Sequence, residues 1–376
     1  SKPFYLEDGK EGLRHCIAPA GLSSGSAMSF SFDERNAPVA WAREYLDLDR
    51  GRGRVLPLKH LGLDIYVLRD CLCFGRQFQA VAPLSPFGSV PCLFRESCPY
   101  PANEPRLAGI VRENLESPVA EVDTAVPLFP NGAANLWHWT LESLPKLLAL
   151  ESTGFTGAYI VPAQETERED SVIMRCLRMF AIDPGRILPS GPTYRIKLLF
   201  LPQRLSGFSL AENMPLSDFL RQRLLEAVGV LDGSKRLYVR RIGRRRVLNE
   251  DDILPVLKDF GFETMVPENL DLAAQWRCMT NVDCSVMAHG ANSTLTLLQK
   301  PGSAAVEMFG NRYVSYNNLH AARLLKLRYY PLIEELDPAS YPGERSPVTD
   351  FLREGMSADI LVDPAHLRIV LESLTG

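Results

Sequence analysis

The chain has 376 residues, of which 46% are hydrophobic and 23% charged, and its formal net charge is −4. That length exceeds one ordinary hydrophobic core and points to two domains. The slight acidity excludes a surface built as a whole to hold nucleic acid or an anionic membrane, so any attraction to anions must be local.

Residues 1–120 are rich in Pro, Gly and Ser and read as irregular, with short strands such as "DIYVLRD" and "SVPCLFRES". "WAREYLDLDRG" carries Asp47 and Asp49 as solvated charges of an amphipathic helix rather than as a metal-binding pair. The eight cysteines are scattered without the paired spacing of a zinc site. They read as free, buried thiols, which favours a reducing compartment. Cys71 and Cys73 share one strand face, and Cys92 and Cys98 are close enough in sequence to bridge. No apolar run approaches the length of about 18 residues that a membrane span needs.

From residue 131 the periodicity sharpens. "NLWHWTLESLPKLLAL" has helical spacing, "AYIVP" reads as a strand, "DSVIMRCLRMFAI" as a helix and "IKLLFLP" as a strand. After a connection around 203–215 the alternation becomes regular. Helices over "LSDFLRQRLLEAVG", "NEDDILPVLKDFG", "DLAAQWRCMTN", "NSTLTLLQK" and "NLHAARLLKL" alternate with strands "RLYVR", "FETMVP", "CSVMAHG", "AAVEMFG" and "RYYPL". Such alternation predicts a parallel sheet covered on both faces. The expected divisions are 1–206, 207–362 and a C-terminal helix over 363–376.

In a doubly wound sheet, ligands bind beyond the carboxyl ends of the strands, at helix N-termini. "RLYVRRIGRRRVLNEDD" puts Arg240 and Arg241 at such an end, with Arg244, Arg245 and Arg246 in the following loop. These guanidiniums suit phosphate oxygens, although a solvated basic loop is the plain alternative. Asn249 reads as an N-cap, with Glu250, Asp251 and Asp252 matching the helix dipole. In "AHGANSTLTLLQK", His289 could donate to a phosphate or sugar oxygen or be structural. Gly290 lets backbone approach a ligand, and the amides of Ala291, Asn292, Ser293 and Thr294 open a helix that can hold an anion. Glu307, inside an apolar strand, needs partners: ribose hydroxyls or an arginine. His138 and Glu142 lie four apart on one helix, as a general base with its orienting group or as a pair fixing the helix. There is no P-loop, no G-x-G-x-x-G after a strand and no H-E-x-x-H.

Four blocks, in order, resemble glycosyltransferase family 61. They are "NLWHWTLESLPKLL", "LYVRRIGRRRVLNEDDIL", "VPENLDLAAQWRCM" and "MAHGANSTLTLLQKPGSAAVEMF", across about 131–333. Val239 departs from the family's usual Ser, and Asn292, Ser293 and Leu295 depart from its Gly, Leu and Asn. The resemblance implies an α/β protein of GT-B type, with two Rossmann-like domains facing across a cleft. It implies an inverting, metal-independent glycosyltransferase with no cofactor, which moves a sugar from a nucleoside-diphosphate donor, UDP-linked as first expectation, to a glycan hydroxyl. In that frame Arg240, Arg241 or Arg246 and residues 289–294 hold the diphosphate, Arg240 foremost because it occupies the family's arginine position. Glu307 holds the ribose. His138 with Glu142 supplies the base, with His289 as the second candidate. The final helix is expected to cross back to the first domain. The expected setting is bacterial capsular or exopolysaccharide synthesis in the cytoplasm, at the membrane periphery through a lipid-linked acceptor and with no nucleic-acid partner. A lumenal domain whose anchor has been removed is the alternative setting. An inactive, ligand-binding scaffold and a nucleic-acid module are the alternative functions.

Overall fold

The computed structural model describes residues 53–58, 61–75, 79–82, 92–95, 98–100, 119–128, 135–202, 205, 213–310, 313–315, 317–335 and 358–375. Asp47 and Asp49 lie outside them. The chain divides into two compact units, one of residues 1–134 and 142–206, the other of residues 135–141 and 207–376. Among the described residues no helix is long and apolar enough to cross a membrane.

The first unit is built on a mixed sheet. Its strands are β1 (Gly53–Leu58), β2 (Leu63–Gly75), β3 (Gln79–Ala82), β4 (Cys92–Arg95), β5 (Cys98–Tyr100), β6 (Val119–Pro127), β7 (Ala158–Val161), β8 (Ile187–Pro189) and β9 (Gly191–Pro202). The order is β5-β4-β3-β2-β9-β6-β7-β8, with β1 paired to β2. Only β9, β6, β7 and β8 run parallel; β1 to β5 and the β2–β9 pair are antiparallel. The Rossmann-like character of this unit is thus confined to one side of its sheet. Cys71 and Cys73 share one core with Ala125, Ile160, Ile196 and Leu199, and both are free thiols. Cys98 lies opposite Arg95, which puts Cys92 about 10 Å along the strand from it, too far for a bridge.

The predicted helix over "NLWHWTLESLPKLLAL" is divided. Leu136–His138 is α-helical, Trp139–Ser143 is a π-helical turn, and α1 (Leu144–Glu151) follows. Pro145 has no N–H to give the carbonyl four residues back, so the ladder is interrupted there. Asn135 caps the first turn by accepting the Trp137 N–H at 2.9 Å. Residues 135–141 group with the second unit and Glu142 with the first. α2 (Val172–Met179) completes the described helices of this unit that exceed two turns.

The second unit alternates α3 (Met214–Val228), β10 (Lys235–Val239), α4 (Glu250–Asp259), β11 (Phe262–Met265), α5 (Leu272–Met279) and β12 (Val282–Ala288). A 3-10 helix (Ala291–Leu298), β13 (Ala304–Gly310), α6 (Asn317–Leu324), β14 (Arg328–Glu334) and α7 (Pro364–Thr375) follow. All five strands are parallel, in the order β11-β10-β12-β13-β14. The direction of strand addition therefore reverses between β10 and β12, and that crevice is where doubly wound sheets place ligands.

One sheet face is apolar. Tyr238, Val286, Val306, Met308 and Leu332 pack there with Ile253, Val256 and Leu257 of α4 and with Leu367, Val370 and Leu371 of α7. The C-terminal helix, expected to cross back to the first domain, is thus part of this unit's own core, because its apolar stripe finds the sheet beside α4. Asn249 stands at the start of α4 yet makes no cap. Its side chain clamps Val362 instead, donating to the carbonyl at 2.7 Å and accepting the N–H at 3.0 Å. The opposite face carries Ser285, Met287, Glu307 and Tyr329 in register, under the 3-10 helix and α6.

Candidate functional site

The residues after β10 and β12 meet at the switch point. Val239 is in register with Met287, so two residues further on Arg241 stands beside His289. The guanidinium of Arg241 lies against Gly290, where a Cβ would overlap its Nη1 and stand 2.6 Å from its Cζ. Gly290 itself has φ 162°, extended backbone open to any residue. It is the close approach of Arg241 that excludes a side chain.

The arginines separate into two kinds. Arg240, the foremost expectation, pairs with Glu250 at 2.6 Å, and Glu250 also accepts the Tyr238 hydroxyl at 2.7 Å. Arg246 is held by Asp359, which accepts its backbone N–H at 3.2 Å and lies 3.8 Å from its Nε. Successive strand residues diverge, and Arg240 turns to the start of α4 while Arg241 turns to the crevice. Arg241 donates Nε–H to the Arg244 carbonyl at 2.5 Å, and among the described residues no carboxylate stands at ion-pair distance from it. Burial, then repulsion from Arg245, draws its pKa down to about 10. Arg245 has a left-handed backbone (φ 58°), lies 5.7 Å from the Tyr313 ring centroid and buries its Nε without a partner. Burial lowers its pKa as well. Arg245 was not singled out in the sequence beyond its membership of the cluster.

His289 is buried on the second side of the crevice. Its ring stacks on Phe309 with centroids 4.7 Å apart and lies 5.3 Å from Tyr313. With Arg245, Gly310, Ala358 and Ile360, these residues line a small, partly enclosed pocket. The backbone then enters a 3-10 helix instead of the predicted α-helix. Ser293, Thr294 and Thr296 each donate a hydroxyl to the carbonyl three residues back, at 2.5–2.7 Å, which competes with the α-helical ladder. Among the described residues, no intramolecular acceptor takes the N–H groups of Ala291 and Asn292; that of Ser293 is taken by Gly290. The turn Leu136–His138 packs against this helix, and His138 is half-buried there.

Glu307 is 2% exposed, and its hydrogen-bond partners are protein side chains, none of them an arginine. Oε1 faces His289 Nδ1 at 2.6 Å, Ser293 Oγ at 2.9 Å and Asn318 Nδ2 at 2.5 Å, and Oε2 accepts the Tyr329 hydroxyl at 2.5 Å. Burial and the Glu307 charge raise the Tyr329 pKa far above the usual phenol range, so it stays a donor. Asn318 and Tyr329 carry no signal in the sequence, since packing alone brings α6 and β14 to Glu307. Among the described residues no group of three or more His, Cys, Asp or Glu could hold a metal ion.

An α/β unit with a parallel sheet whose strand order reverses between β10 and β12 is of the doubly wound class, which places its ligands at that crevice. Residues 136–306 match the family model described as Glycosyltransferase 61. The matched stretch contains Arg241, His289 and the 3-10 helix, and ends one residue before Glu307. It makes the chain similar to that family and supports glycosyltransferase activity. No curated protein matches the chain.

Proposed function

We propose that the protein is an inverting glycosyltransferase of GT-B type that uses a nucleoside-diphosphate sugar, UDP-linked in the first instance. The observation that carries this reading is the guanidinium of Arg241 against Gly290, without a carboxylate partner among the described residues, at the start of a helix whose first two amides have no intramolecular acceptor among them. A partly buried cation without a carboxylate partner is poorly compensated, and a bound anion would relieve that cost. Planar donors and backbone N–H groups together suit a diphosphate.

In the proposed reaction an acceptor hydroxyl attacks the anomeric carbon in line with the departing diphosphate. The C–O bond to the diphosphate breaks as the new glycosidic bond forms, and the hydroxyl proton passes to a base. Arg241, Arg245 and the Ala291 and Asn292 amides stabilise the charge on the leaving group. His138 is the proposed base, with Glu142 as its proposed support, and the packing of Leu136–His138 on the 3-10 helix favours it. Gly290, Ser293 and Thr294 shape the anion site. Arg240 and Arg246 serve the fold around it, since each already has a carboxylate. The reading assigns no metal or cofactor, a glycan as acceptor, and a role in polysaccharide synthesis on the cytoplasmic side of a membrane.

A thermal-shift screen of nucleoside diphosphates and nucleotide-sugars tests it, because a ligand of the native state raises the unfolding temperature. One base class should stabilise the wild type and fail to stabilise Arg241→Ala. Equal stabilisation of both would remove Arg241 from the site. Binding without turnover across a panel of sugars and glycan acceptors would return the reading of an inactive scaffold.

A further inference from the structure

A carboxylate buried as deeply as that of Glu307 needs hydrogen-bond partners. Four side chains from four elements converge on it: His289 after β12, Ser293 on the 3-10 helix, Asn318 on α6 and Tyr329 on β14. Asn318 and Tyr329 can only donate here, through an amide N–H and an O–H. Ser293 has one proton and two acceptors within reach, the Gly290 carbonyl at 2.5 Å and Glu307 Oε1 at 2.9 Å. It also accepts the Gly290 N–H at 3.2 Å, so one hydroxyl holds both polar groups of the glycine that faces Arg241.

Both carboxylate oxygens accept hydrogen bonds, Oε1 from Asn318 and Oε2 from Tyr329. An ionised carboxylate 2.6 Å from His289 Nδ1 requires a proton on that nitrogen. Turning the ring over would put a carbon against Glu307 and forfeit that hydrogen bond, while the stack on Phe309 holds the ring plane. Nδ1 therefore faces the cluster, and Nε2 is the nitrogen left for the pocket that His289 lines with Arg245, Phe309 and Tyr313.

We propose that Glu307 is a positioning residue that fixes His289 as the Nδ1–H tautomer and reserves Nε2 for the ligand of the Arg241 site. That second part rests on the anion-site reading above; the tautomer does not. With Nδ1–H committed to Glu307, a phosphate oxygen gains a hydrogen bond from Nε2 only if Nε2 also carries a proton. Where His289 carries a single proton in the free protein, binding a diphosphate takes up one more there. The charged and titratable groups around the ring are Glu307 and Tyr329 on the cluster side and Arg245 and Tyr313 on the pocket side, with Arg241 against the neighbouring Gly290. Glu307 offsets the two arginines, which oppose a third positive charge.

The test is nitrogen-15 NMR of the six imidazoles, with the His289 signal identified by its loss in His289→Gln. Above its titration, His289 in the ligand-free wild type should carry its proton on Nδ1, and Glu307→Ala should move the proton to Nε2. A wild-type signal from the Nε2–H tautomer would overturn the proposal, and that reading needs no variant to fold. Calorimetry of UDP binding in buffers of different ionisation enthalpy forms the second arm. The wild type should take up a proton on binding, Glu307→Gln should lose that uptake with roughly tenfold weaker binding, and Glu307→Asp should restore part of it. Uptake unchanged in Glu307→Gln would overturn the positioning role. A wild type with the Nδ1–H tautomer that binds no nucleoside diphosphate would overturn the anion-site reading and leave the tautomer assignment standing.

Discussion

The Arg241 guanidinium fills the space where a side chain on Gly290 would begin. The two residues follow different strands, 49 positions apart, and meet because β10 and β12 are neighbours at the switch point of the sheet. Gly290→Ala should therefore act on Arg241. The obstruction is the far end of a flexible side chain, and the glycine backbone is extended, so the unfolding midpoint should stay within a few degrees of wild type. UDP affinity should fall roughly tenfold or more, the loss of a charge-assisted hydrogen bond. Calorimetry of the folded variant checks both.

Arg240 and Arg241 should differ sharply on replacement. Arg241→Ala should weaken UDP binding by about 10- to 100-fold. Arg240→Ala should leave binding near wild type and cost less than about 1 kcal/mol of stability, since its pair with Glu250 is half-exposed. Equal losses of affinity would put Arg240 back at the ligand.

Arg241 also sets a conflict between stability and binding. Its pKa is drawn down to about 10, so the folded state disfavours its charged form. At neutral pH the side chain is charged in both folded and unfolded states, and the fold carries the penalty; it fades only as pH rises through about 10 toward the unfolded value. Arg241→Met should raise the unfolding midpoint of the ligand-free protein by a few degrees while removing stabilisation by UDP. A lower midpoint would show that the guanidinium supports the fold.

Glu334 gives a pH dependence of defined sign. It is buried, and burial raises its carboxyl pKa against the opposing pull of His366, 3.3 Å away on α7. A raised acid favours the protonated folded state, so its contribution is full below the unfolded value near 4.5 and is lost as pH rises through the folded value. The midpoint of Glu334→Gln should exceed that of wild type increasingly as pH goes from 4 to about 7, in paired thermal melts. A constant difference would mean that Glu334 does not titrate in the fold.

Asn249 tests the placement of the C-terminal segment. Asn249→Ala leaves a buried N–H and a buried carbonyl of Val362 unpaired, which should cost about 2–3 kcal/mol in urea unfolding. Asn249 as a simple N-cap would cost only about 1 kcal/mol.

Much of the second unit is legible in the sequence because its signals are local. Apolar periodicity and turn residues mark each strand and most helices between 214 and 334 within a few positions, and the rule for doubly wound sheets directs attention to 240–246 and 289–294. Where the local pattern misled, a contact between distant residues decided. Asn249 looks like a cap and is a clamp on Val362. "NSTLTLLQK" has the hydrophobic spacing of an α-helix, but its hydroxyls take the carbonyls that an α-helix would use.

The sequence by itself determined the α/β alternation, the basic loop after one strand and the His-Gly-Ala turn after another. Only the tertiary structure decided which arginines stand without a carboxylate partner among the described residues. Glu250 and Asp359 neutralise Arg240 and Arg246, and the pleat sends Arg241 to the opposite side, against Gly290. It likewise made Glu307 the partner of His289, Ser293, Asn318 and Tyr329. Periodicity records which face a side chain takes, whereas the identity of its partner depends on strand order and register, which bring together residues with no relation along the chain.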